Sequence, residues 1–183
     1  LCYEAFTPGQ GSRMRYYLAN SEILRQCLVE EDYADPVISS NTTWTTSNTP
    51  NNGDFTIAGN LTITGNATLA IESGVTVRFT DDSNIIITKG SSLKLSGTLT
   101  SQGCGGRTWG GVIVRGDDQF SQENASDQGY MECLPGSLIE HAGIGIYASN
   151  AGLGSGGIIK CNDGTIRNCR VGVQIDAYDS EAE

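Results

Sequence analysis

From Asn60 to Leu99 apolar residues alternate with small polar ones in runs of three to five, and Gly or Asn punctuates each run. Examples are Asn60-Leu-Thr-Ile-Thr-Gly and Gly90-Ser-Ser-Leu-Lys-Leu-Ser-Gly. Alternation sends every second side chain to one face of a strand, and runs this short fall below helix length. The segment also repeats itself. Leu69 falls on Leu93 and Ile71 on Leu95 at an offset of 24, and Ile63 falls on Ile85 at an offset of 22. Short strands returning at this spacing, with Gly, Asn and Asp-Ser turns between them, predict the coils of a solenoid. One coil cannot bury its inward row of Leu, Ile and Val; stacking coils about 4.8 Å apart buries that row against the next coil. Leu69, Ile71, Ile85, Leu93, Leu95, Val112 and Ile166 are the expected interior. An antiparallel sandwich also uses short alternating strands. Hairpin signals are scarce, however: Asn52-Gly53 is the only Asn-Gly or Asp-Gly pair before Asp163-Gly164.

The pattern changes towards the N-terminus. Residues 1–33 predict helix: Thr7 caps, Pro8 suits the first helical position, and Gln10 completes a capping box. Met14, Tyr17 and Leu18 follow as an apolar stripe. Asn20-Ser21 breaks this helix, and Ser21-Glu22 opens another turn through Ile23, Leu24 and Cys27. These helices are expected to cap the first coil, whose apolar side chains and backbone groups need cover. Residues 34–59 are Ser-, Thr- and Asn-rich and read as a linker anchored by Trp44, with the strand pattern beginning at Phe55-Thr-Ile57. Residues 60–183 are the expected solenoid. Its last coils, Ser137–Tyr147 and Gly164–Ile175, align at an offset of 27: Ile139 with Ile166, Gly145 with Gly172, Ile146 with Val173. The longer offset is assigned to an added strand, Gly157-Ile-Ile-Lys160.

Two resemblances add to this reading. Cys2-Tyr-Glu-Ala-Phe-Thr-Pro-Gly-Gln and the Arg13-Met-Arg helix resemble the end of the catalytic domain of pappalysin-type (cytophagalysin) secreted zinc metalloproteases, over about residues 2–28. That resemblance implies a proteolytic part upstream in a longer parent chain. The family's zinc site needs His-Glu-x-x-His and a third His, whereas this chain has one His in all. The zinc site is therefore not in this sequence. Trp109-Gly-Gly-Val-Ile-Val and the two Ile-x-x-x-x-x-Gly-Ile/Val coils resemble right-handed parallel β-helix proteins, in particular large secreted bacterial surface proteins, over residues 55–176. Val112 and Val114 are then expected to point inwards.

Composition narrows the partners. The 183 residues include 11 basic and 21 acidic side chains, a net charge of -10, which argues against nucleic acid and anionic membrane surfaces. No run approaches the length of a membrane span. Six cysteines favour an oxidising compartment, hence a secreted or cell-surface protein. No Cys-x-x-Cys occurs, so zinc and thioredoxin readings are weak. The domain layout favours local pairs: Cys2 with Cys27, Cys104 with Cys133, and Cys161 with Cys169. The chain begins at Leu1 without a signal segment and is read as a mature or excised piece.

Candidate chemistry is sparse. Asp117, Asp118, Glu123 and Asp127 lie in an acidic loop, but no Asp-x-Asp-x-Asp-Gly spacing supports calcium, and a solvated loop is the favoured reading. His141, in Glu140-His141-Ala142, is the single candidate base and reads as a turn or rung residue. Asp81-Asp82 and Asp117-Asp118 read as turn chemistry. Trp44 and Trp109 are the candidate ligand contacts. The expected function is a non-catalytic β-helix portion of a secreted or cell-surface protein that spaces, docks or adheres to a cell-surface glycan or protein, the first resemblance implying a metalloprotease as the parent. The alternative is a polysaccharide-binding or polysaccharide-cleaving β-helix, which a long groove lined by aromatics or Asp favours.

Overall fold

The computed structural model describes residues 7–21, 31–103, 107–149 and 156–178. The chain divides into two compact units, Leu1–Glu30 and Glu31–Glu183. In the first, helix α1 (Pro8–Asn20) begins with the expected capping box. The Gln10 N–H donates to Thr7 Oγ1 at 3.3 Å, and the Thr7 N–H donates to Gln10 Oε1 at 2.9 Å. The helical turn expected around Cys27 lies outside the described residues.

The second unit is built from short strands that return to the same three sheets. A first coil holds β1 (Tyr33–Ala34), β2 (Val37–Ile38) and β3 (Thr42–Trp44). The second holds β4 (Asp54–Ala58), β5 (Leu61–Ile63) and β6 (Thr68–Ile71), and the third β7 (Thr76–Phe79), β8 (Asn84–Ile87) and β9 (Ser92–Leu95). The fourth holds β10 (Thr98–Ser101), β11 (Trp109–Val114) and β12 (Tyr130–Cys133), and the fifth β13 (Leu138–Glu140), β14 (Ala142–Ala148) and β15 (Ile158–Cys161). A sixth adds β16 (Thr165–Arg167) and β17 (Val171–Ile175). Every third strand joins one sheet: β1-β4-β7-β10-β13-β16, β2-β5-β8-β11-β14-β17 and β3-β6-β9-β12-β15. All the pairings are parallel, which excludes the sandwich and gives the arrangement of a parallel β solenoid.

The register follows the repeat with one correction. Leu69 pairs with Leu93 and Ile71 with Leu95 as expected, but Ile63 pairs with Ile87, and Ile85 takes Leu61. A slip of two residues keeps the same face inwards, so alternation alone does not detect it. Residues 34–59, read as a linker, instead contribute β1 to β4. Their first strands are two or three residues long, too short to show alternation. The strand near Gly157–Lys160 is not an addition either. As β15 it takes the regular place in the third sheet beside β12.

Inward columns fill the interior. Leu69, Leu93 and Met131 stack in the third sheet, and Leu61, Ile85, Val112 and Ile146 in the second, all fully buried. Val114 is buried as well, and Ile166, in the sixth coil, packs against the core while only partly buried. Corner side chains fix the stacking. Asp35 Oδ1 accepts the Asn60 N–H at 2.8 Å, and Asn60 Oδ1 accepts the Asn84 N–H at 2.9 Å. Each Asx side chain thus satisfies a backbone donor one coil on, where no strand bond reaches. The ladder ends at Gly110, where an added Cβ would overlap Asn84 Oδ1.

Candidate functional site

Passing from the first sheet to the second requires a left-handed residue at the corner. Asp35, Gly59, Asp82, His141 and Asn168 supply it, with φ between 44° and 71°. Asp, Asn and Gly tolerate this conformation best, and His is among the next most tolerant residues. His141 is therefore a rung residue, as its sequence context predicts, and Asp82 likewise serves its turn.

The corner nevertheless gathers the one imidazole with a hydroxyl and a carboxylate. His141 Nδ1 lies 3.2 Å from Thr100 Oγ1, Thr100 Oγ1 donates to Glu140 Oε1 at 3.3 Å, and Arg167 Nε donates to Glu140 Oε2 at 2.9 Å. His141 Nε2 faces the Asn168 side-chain amide at 3.4 Å. Both ring nitrogens thus face a polar neighbour, Nδ1 the Thr100 hydroxyl and Nε2 the Asn168 amide. A nucleophile–His–carboxylate relay needs the carboxylate on the far ring nitrogen. Here Glu140 sits on the Thr100 side and is paired to Arg167. The group is a polar clasp across three coils. Sequence reasoning missed Thr100 because it lies 41 residues before His141 and meets it only through stacking.

The second candidate region is the outer face of the third sheet. A groove of about 460 Å³ is lined there by Ser92, Lys94, Ser126, Tyr130, Glu132 and Lys160. Lys94 and Lys160 flank Glu132 in the register of β9, β12 and β15. Lys94 Nζ is 3.9 Å from Glu132, and Lys160 Nζ lies 5.5 Å from the Tyr130 ring centroid. Tyr130 offers a half-buried ring beside Lys160.

The acidic loop between β11 and β12 borders this groove. Its anchor is Gln128, fully buried, whose Oε1 accepts the Asp117 N–H at 2.7 Å while Nε2 donates to the Asp117 and Phe120 carbonyls at 2.8 Å. Lys89 crosses from the third coil to pair with Asp117 at 3.0 Å and sits 3.7 Å over the Phe120 ring. The Lys89 hydrogen bond, then the Gln119 N–H, hold the Asp117 carboxyl below its usual range. Asp118 Oδ1 accepts from Gln119, and Asp127 accepts from Asn124. The carboxylates of Asp117, Asp118 and Asp127 thus face separate partners. Among the described residues no three His, Cys, Asp or Glu side chains come together as a metal would need.

The candidate aromatic contacts are displaced. Trp109 is fully buried and stacks on Phe79, and Trp44 is buried against Phe55. Both face inwards because the strand alternation puts them in core columns, so neither presents a ring to a ligand.

Of the cysteines, Cys2, Cys27 and Cys104 lie outside the described residues. Cys161 does not face Cys169: it is the register partner of Cys133, with the two Sγ atoms 3.0 Å apart, and Cys169 donates to the Arg167 carbonyl. Among the described residues no helix is long and apolar enough to cross a membrane. No protein-family profile, no curated protein and no solved structure matches the chain.

Proposed function

We propose that the chain is a non-catalytic, right-handed parallel β-helix portion of a secreted or cell-surface protein, acting as a spacer and docking module. The right hand follows the general preference of parallel crossovers. One observation supports the reading most. Four ion pairs among the described residues join one coil to another: Arg78 with Asp54, Lys89 with Asp117, Arg107 with Asp81 and Arg167 with Glu140. A chain that uses its charges this way holds shape rather than concentrating charge at a reacting centre. The resemblance of about residues 2–28 to the end of a metalloprotease catalytic domain supports, in the same proposal, a position downstream of such a domain. Incubation of the chain with casein and with soluble polygalacturonate is expected to release no product over many hours. Release of peptides or of unsaturated oligosaccharides overturns the reading.

A second reading rests on the groove of the third sheet. Tyr130, in one groove with Lys94 and Lys160, suits an acidic saccharide, with the ring under a sugar face and the ammonium groups on its carboxylates. Titration calorimetry with oligogalacturonate tests it. Binding that Tyr130→Ala and Lys160→Ala each weaken about tenfold supports a glycan-docking module; no heat of binding removes this reading and leaves the spacer role.

A further inference from the structure

We propose that Cys133 and Cys161 form a disulfide that clasps the fourth coil to the fifth. The two residues are direct register partners on the parallel strands β12 and β15. Adjacent strands lie about 4.8 Å apart, inside the α-carbon range a disulfide spans. Both side chains belong to the same inward column, below Trp44, Ile71 and Leu95, so their Cβ vectors run side by side. The thiols already touch, at 3.0 Å. Two coils related by one strand spacing supply the geometry, and the residue-for-residue register supplies the pairing.

The two thiols have different access, which sets the order of events. Cys133 is 1% exposed, and burial, followed by the contact with Cys161, raises its pKa. Cys161 is exposed. A low-molecular-weight disulfide such as glutathione disulfide is then the oxidant. Cys161, as thiolate, attacks one sulfur of the reagent, expels one thiolate and forms a mixed disulfide. Cys133 loses its proton to solvent and attacks Cys161 Sγ, expelling the second thiolate. Two protein thiols become one disulfide, and one reagent disulfide becomes two thiols. The bond closes residues 133–161 into a loop and constrains the unfolded chain.

The chain itself provides a clean readout. Cleavage after Glu, Lys and Arg puts Cys133 in Cys133–Glu140, Cys161 in Cys161–Arg167 and Cys169 in Asn168–Arg170. The purified full chain, oxidised with glutathione disulfide and digested without reduction, is expected to yield the first two peptides joined. Oxidation is also expected to raise the melting temperature by about 5–15 °C relative to the reduced chain. That redox-dependent difference should vanish in Cys161→Ser and survive in Cys169→Ser. A crosslink from Cys161 to Cys169, or to any cysteine other than Cys133, overturns the proposal. So does a Cys161 that glutathione disulfide leaves open to alkylation.

Discussion

Phe79 and Trp109 stack face to face, with ring centroids 4.5 Å apart and planes 13° from parallel. Phe79 ends β7 in the third coil, and Trp109 opens β11 in the fourth. The indole Nε1–H donates to the Glu140 carbonyl in the fifth coil at 2.9 Å. One side chain thus binds three coils. Trp109→Ala is expected to cost about 3–5 kcal/mol of stability. Trp109→Phe keeps the stack but leaves the Glu140 carbonyl unpaired, for a loss of about 1–3 kcal/mol. Urea denaturation of the two variants measures both; an undiminished stability in Trp109→Phe would show that the indole hydrogen bond contributes nothing, and equal losses that the stack contributes nothing.

A single position of strand register is testable in the third sheet. Leu93 is fully buried between Leu69 and Met131, while its neighbours Ser92 and Lys94 face outwards. Leu93→Asp buries a carboxylate without a partner and should cost several kcal/mol, on the order of half the stability of an ordinary domain. Ala70→Asp, one position from buried Leu69 and beside Lys94, should stay within about 0.5 kcal/mol. Similar melting temperatures for the two variants would mean that the faces are assigned the wrong way round.

These two sites also mark how far the sequence is legible. Alternation and the offset of 24 reveal the coils wherever strands have four residues, as around Leu69 and Leu93. They fail at Val37–Ile38 and Thr42–Trp44, because two or three residues in a Thr- and Asn-rich stretch cover only one to one and a half periods, too few to establish alternation. They also fail to separate Ile85 from Ile87 as the partner of Ile63, since both face inwards. The polar clasp and the Cys133–Cys161 contact are invisible in the chain for a different reason. Thr100 meets His141, and Cys133 meets Cys161, through the stacking of whole coils, and the spacing between them is set by the lengths of intervening loops. Trp109 misleads as a candidate ligand contact because a large aromatic beside glycines looks the same in a binding loop and at a packed corner.

The Asp117–Lys89 pair predicts a pH dependence. The folded-state carboxyl titrates below its usual range because Lys89 and the Gln119 N–H bind its charged form. A depressed carboxyl pKa contributes stability that is present above the unfolded pKa, near 3.8, and lost as pH falls through the lower folded value. The side chain is accessible enough to water that the stability effect is small. Carbon-detected NMR titration should place the Asp117 midpoint below that of an ordinary aspartate, and Lys89→Met should move it back up. An unmoved midpoint in Lys89→Met would assign the shift to the loop backbone instead.

The role of His141 separates an architectural corner from a reacting one. Its φ of 56° matches the 55° of Asn168, the equivalent residue one coil on. If the corner conformation is what the position requires, His141→Asn should change stability by no more than about 0.5 kcal/mol, because Asn is tolerated in this region. His141→Val places a β-branched residue there and should cost about 1–2 kcal/mol or more. Thr100→Val removes the hydroxyl that links His141 to Glu140 and leaves the Glu140–Arg167 pair in place, for a loss of about 1 kcal/mol. Thermal and urea unfolding of the three variants should rank them Asn, Thr100→Val, Val in order of increasing loss. Any saccharide binding at Tyr130 and Lys160 should be untouched in His141→Asn, since those residues belong to the third sheet and His141 to the corner between the other two. Loss of an activity in His141→Asn, with stability unchanged, would show that the imidazole does more than turn the chain.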